Sequence, residues 1–145
     1  MEVINTDNLI EIADLRARIR LAEEAELYLK SFPWCKKILN CWFDSGFYDK
    51  VGVFLFEIIP NDGDIDKFIW VIVGDIPSVY LDSSVKTGIE ALECYCKLMH
   101  EWASAVLLSS PLTDCYLIDA LATQENAVLL KSRIAFIEKE MLLQN

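Results

Sequence analysis

Val51-Gly52-Val53-Phe54-Leu55-Phe56-Glu57-Ile58-Ile59 and, beyond the turn Pro60-Asn61-Asp62-Gly63-Asp64, Lys67-Phe68-Ile69-Trp70-Val71-Ile72-Val73 are the stretches that decide the fold. Both are short runs rich in β-branched and aromatic residues, bounded by turn chemistry, and read as strands. Alternate side chains of a strand face opposite ways. Val51, Val53, Leu55 and Ile59 therefore share one face, and Phe54, Phe56 and Ile58 the other; likewise Ile69, Val71 and Val73 oppose Phe68, Trp70 and Ile72. A sheet with one wet face alternates apolar with polar residues, and these runs do not. Left open, Phe54, Phe56, Phe68, Trp70 and Ile72 would make a larger apolar patch than monomers tolerate. Both faces are expected to be covered, by helices on two sides or by a homodimer across the uncovered one. Glu57, on the Leu55 face, needs a partner or an opening to solvent.

Outward from these runs the same pattern continues. Lys37 to Phe43 is a third extended run, ending at the turn residues Asp44-Ser45-Gly46, and Ser78 to Leu81 is a short fourth after Gly74-Asp75-Ile76-Pro77. Connections this short favour an antiparallel meander. Before the strands, Ile12, Leu15, Ile19, Ala22 and Leu29 recur at helical spacing, with Thr6 or Asp7 as cap and Ser31-Phe32-Pro33 as stop. After them, Thr87-Gly88-Ile89-Glu90 has the form of a capping box, with Ser84 as an alternative start. Ile89, Leu92, Cys96, Met99, Ala103 and Val106 form its stripe, closed by Ser109-Ser110-Pro111. Thr123 caps a last helix with the stripe Ala127, Leu130, Ile134, Ile137 and Met141. The expectation is one α+β domain over residues 1–145: an antiparallel meander of three to four strands, one N-terminal helix and two C-terminal helices.

The 145 residues are 54% hydrophobic and 25% charged, which excludes disorder and gives a chain able to bury a core without disulfides or metal. A formal charge of −10 argues against nucleic acid as a partner. The N-terminus has neither a basic nor an apolar leader segment, and no run approaches the ~18 apolar residues of a membrane span. Five cysteines, an odd count, read as free thiols in a reducing cytoplasm.

Few groups here invite chemistry. His100 is the only histidine, four residues after Cys96, the spacing that lets a thiol and an imidazole meet on a helix. Cys94-Tyr95-Cys96 sends its thiols to nearly opposite sides of that helix and cannot hold zinc alone. Asp62, Asp64 and Asp66 imitate the start of a calcium loop, but Lys67 and Val73 stand where its glycine and closing glutamate belong. No phosphate loop, nucleophile elbow or dinucleotide fingerprint is present, so no catalytic residue, metal or cofactor is assigned. The charge is uneven: residues 44–114 hold twelve acids and four bases, net −8, against −1 on either side of them. The carboxylates of the sheet turns, Asp49, Asp62, Asp64, Asp66, Asp75 and Asp82, serve either solubility or contact with a basic partner.

Trp70-Val71-Ile72-Val73-Gly74-Asp75-Ile76-Pro77, Ala91-Leu92-Glu93-Cys94-Tyr95-Cys96, Met99, Trp102 and Thr123-Gln124-Glu125-Asn126-Ala127 together resemble a family of small uncharacterised bacterial proteins. Members of that family look like the immunity proteins of polymorphic toxin systems. The resemblance covers residues 67–140 and implies a cytoplasmic binder that neutralises a toxin, with no catalytic residue. On this reading an acidic face occludes the basic cleft of a cognate toxin. The alternative is a small enzyme or ligand-binding protein whose pocket, between sheet and helices, is lined by Glu57, Tyr95 and His100.

Overall fold

The computed structural model describes residues 6–61, 63 and 66–143, and side chains from residue 12 onward. Helix α1 (Thr6–Lys30) leads into strands β1 (Cys35–Phe47), β2 (Val51–Pro60), β3 (Phe68–Gly74) and β4 (Val79–Leu81), followed by helices α2 (Gly88–Leu107) and α3 (Gln124–Ile137) and a π turn, Glu138–Leu142. The four strands form one antiparallel sheet in the order β1-β2-β3-β4. This is the α+β meander expected, with the fourth strand present.

The helices sandwich the sheet. Beneath α1 lie Phe54, Phe56 and Ile58 of β2 and Ile69, Val71 and Val73 of β3, none more than 2% exposed. On the opposite face Val51, Val53, Trp70, Ile72 and Val79 pack against α2 and α3. The register pairs Phe54 with Val71 and Leu55 with Trp70. The five-residue patch expected from Phe54, Phe56, Phe68, Trp70 and Ile72 is therefore divided: the first two lie under α1 and the last three on the other face.

The buried stripe of α1 also differs from the expected one. Ala17, Leu21, Ala25 and Leu29 face the sheet, while Ile12, Leu15 and Ile19 are about half exposed. At 3.6 residues per turn the observed stripe is rotated by about 100° from the other. The cause is the opposing surface, since alanines let the helix sit close over Phe54 and Phe56. Gly52 belongs to the same fit, because a Cβ there would meet the Phe54 ring at 2.7 Å and Leu21 at 3.1 Å. The expected caps, Thr6 and Asp7, lie outside the residues whose side chains are described.

β1 runs further than its sequence suggested. Asp44-Ser45-Gly46 stays in the strand, and the chain turns at Tyr48–Lys50, where Lys50 N–H donates to Phe47 C=O at 3.0 Å. Phe47 draws the strand on by packing edge-to-face with Phe136 of α3, centroids 4.9 Å apart. Shifts in register between Cys35 and Lys37, Ile38 and Asn40, and Phe43 and Ser45 absorb the extra residues. Such bulges, with Lys36 and Lys37, blunt an edge strand against pairing. The other edge is plugged: the Tyr116 hydroxyl accepts from Tyr80 N–H and donates to Tyr80 C=O, each at 3.3 Å.

The C-terminal helices begin where their caps predict. Thr87 Oγ1 accepts from Glu90 N–H at 3.1 Å, and Thr123 Oγ1 from Asn126 N–H at 3.1 Å. The box at Thr87 closes one residue early, Glu90 accepting from Lys86 N–H at 2.9 Å. Both expected stripes are buried apart from Ile89, 45% exposed, and the partly buried Val106 and Met141; Tyr95 and Trp102 join that of α2. No helix among the described residues is long and apolar enough to cross a membrane.

Candidate functional site

The cover over the second face is incomplete. Rows across that face, read from the register, are Trp42–Leu55–Trp70–Leu81, then Asn40–Glu57–Phe68, then Lys37–Ile59. At the β4 side the segment after β4 closes over the sheet, and Trp70 Nε1–H donates to Val85 C=O at 2.9 Å, leaving Trp70 6% exposed. Toward β1 the cover stops. Trp42 is 46% exposed, Ile59 and Phe68 each 39%, and Leu55 is half-buried. The helices lie over the other half of β2, where Val51 and Val53 are sealed.

Glu57 sits in the middle of this strip. Asn40 Nδ2–H donates to its Oε1 at 2.8 Å, and Lys67 Nζ lies 2.9 Å from its Oε2. The Asn40 amide first, and then the Lys67 ammonium, hold the Glu57 carboxyl below its usual range, so it stays ionised. The partner or solvent opening that the sequence demands for Glu57 is thus both. The result is an apolar, aromatic strip with one fixed, hydrogen-bonded charge at its centre.

The candidate carboxylates divide between the two ends of the sheet. Asp66 and Asp82 stand at the end nearer the strip. Asp66 Oδ2 accepts from Ser83 N–H at 2.9 Å, which lowers its pKa, and Asp82 Oδ1 accepts from Ser84 N–H at 2.9 Å and from the Ser84 hydroxyl. Asp49 and Asp75 stand at the opposite end, about 23 Å away for the seven residues of β3 at a strand's rise per residue. There each faces an arginine, Arg20 at 3.6 Å and Arg133 at 3.1 Å. The Asp75–Arg133 pair walls a cleft of about 230 Å³ with Lys50 and Phe136, in which opposite charges compensate. Asp62 and Asp64 lie outside the described residues.

The liners of the alternative enzyme pocket are dispersed among separate partners. Tyr95 is buried and its hydroxyl donates to Pro77 C=O at 2.8 Å. His100 Nε2 lies 2.8 Å from Glu138 Oε1, not against Cys96. Burial pushes the Cys96 thiol up to about 12, and the charges of Glu138 and Glu93 add to it. A thiol so placed is not a nucleophile at neutral pH. All five cysteines are free, and among the described residues no group of three or more His, Cys, Asp or Glu could hold a metal ion.

Compared with known proteins, the chain matches no family, no curated protein and no solved structure. The covering arithmetic of the sequence, three helices for one face and part of the other, leaves room for such an opening; its place along the Trp42, Ile59 and Phe68 side was not legible.

Proposed function

We propose that this chain is a non-catalytic binding protein of the immunity type, which docks a cognate toxin domain through the uncovered strip of its sheet. The observation that supports it is the exposure of Trp42, Ile59 and Phe68 beside a sealed remainder of the same face. Half-exposed aromatics around a satisfied charge are the groups that anchor protein interfaces. The rim is mixed, with Lys37 and Lys67 beside Glu57 and Asp66, so the strip itself sets fit. The chain's net −10 steers, and it favours a partner with a basic surface. This shifts the docking surface away from the full set of six aspartates, since Asp49 and Asp75 sit at the far end in arginine pairs.

The test is affinity capture from the native host with the wild-type chain, Trp42→Ser and an Asp49→Asn/Asp75→Asn double variant. The expected result is one toxin domain with a basic cleft, whose growth arrest the wild-type chain relieves. Trp42→Ser should weaken its capture about tenfold or more, and the double variant should not. Equal capture by Trp42→Ser, or a homodimer in sedimentation that Trp42→Ser dissolves, would overturn the reading.

A further inference from the structure

On the β4 side, away from the strip, the end of α1, the β3–β4 connection and the α2–α3 loop enclose a cleft of about 620 Å³, the size of a small-molecule site. Tyr28 and Phe32 form one wall, Pro77 and Ser78 another, and Leu117 and Asp119 the rim. The aromatic wall is rigid. Tyr28 and Phe32 meet edge-to-face at 5.1 Å, Phe32 stacks on Trp34 at 5.2 Å and abuts Tyr80 at 5.0 Å. The Tyr28 and Tyr116 hydroxyls hydrogen-bond each other, and burial raises the Tyr28 pKa, so its ring stays neutral.

Two features of the cleft favour a cation. Asp119 is its only charged lining residue and has no ion-pair or hydrogen-bond partner among the described residues. Tyr28 and Phe32 line the cleft, and aromatic rings attract cations. Leu117, 92% exposed at the rim, has no role in the core and offers apolar contact. The geometry points to a binding site for a small organic ammonium ion with a flat apolar body, the ammonium beside Asp119 and the body on Tyr28 and Phe32.

The site is independent of the docking strip, and amide NMR titration of the full chain at constant ionic strength tests it. The probes are phenethylammonium chloride and its neutral isostere, phenethyl alcohol. Saturable shifts are expected at Tyr28, Phe32, Ser78 and Ile118, with the ammonium binding about tenfold tighter than the alcohol. In Asp119→Asn, a surface change that leaves the rest of the spectrum in place, that advantage should shrink to about twofold or less. Equal affinity for the two probes, an undiminished advantage in Asp119→Asn, shifts no larger here than at Asp66 and Asp82, or no saturation would overturn the assignment.

Discussion

The two faces of one sheet solve the same problem differently. Under α1 every inward residue of β2 and β3 is sealed, and the helix achieves this with alanines that let it sit close. On the other face α2 and α3 seal the half of the sheet nearest Val53 and Ile72 and leave Trp42, Ile59 and Phe68 in contact with water. The sequences of the two faces are about equally apolar. Apolarity therefore does not distinguish a sealed face from an open one; what differs is whether a helix is available to cover it.

Core truncation should separate the faces most. Phe56→Ala, beneath α1, is expected to cost about 3–5 kcal/mol in urea unfolding, whereas Trp42→Ser should cost at most about 1.5 kcal/mol. Comparable losses would mean that Trp42 is a core residue and the strip is closed. Backbone crowding should follow the same division with a smaller effect. Gly74 has φ +143°, and a Cβ there would lie 2.2 Å from Lys50 C=O. Gly74→Ala should therefore cost about 1–3 kcal/mol. Gly63, in the β2–β3 connection at the strip's end, has nothing within 4 Å of an added Cβ. Gly63→Ala should change stability by no more than about 0.5 kcal/mol.

The carboxylates in and beside the strip predict an acid response. Glu57 and Asp66 have folded-state pKa values below their ordinary ones, because Asn40 and the Ser83 backbone N–H hydrogen-bond their charged forms. Depressed carboxyl values contribute stability that is present above the ordinary range and lost as pH falls through the folded values. Stability should accordingly fall below about pH 4.5, and a Glu57→Gln/Asp66→Asn variant should show a flatter acid limb in melts from pH 5 to 2. Parallel curves would show that these bonds do not hold the charges. The smallest effect concerns encounter. Changing Asp62, Asp64 and Asp66 together to Ser should slow association with the captured partner several-fold at low salt, flatten its salt dependence and leave dissociation unchanged. An unaltered on-rate would remove this turn from the approach path.

Much of the fold was legible in the sequence. All four strands, the meander and both C-terminal helix starts followed from short apolar runs and from Thr87 and Thr123. The phase of α1 did not, because Ile12, Leu15 and Ile19 offer as good a stripe as Ala17, Leu21 and Ala25; only the close-fitting aromatic floor chooses between them. The end of β1 was missed for a similar reason. Asp44-Ser45-Gly46 is turn chemistry locally, overridden by the packing of Phe47 against Phe136. Of the candidate site residues, sequence located the carboxylates on turns, and the alternation of turns in the meander divides Asp66 and Asp82 from Asp49 and Asp75. The arginine partners of Asp49 and Asp75 were not legible, because they come from helices distant in the chain.

In the proposed complex the open strip, and not the closed face or the aspartates as a set, meets the partner. Carbene footprinting of the free chain and of its complex with the captured partner addresses it directly. In the free chain Trp42, Ile59 and Phe68 should label strongly and Phe54, Phe56 and Ile58 should not. In the complex the first three should lose most of their labelling while Asp49 and Asp75 keep theirs. Undiminished labelling of Trp42, Ile59 and Phe68 in the complex, with protection instead at Ile12, Leu15 and Ile19 of α1 or at Asp49 and Asp75, would show that the strip does not meet the partner.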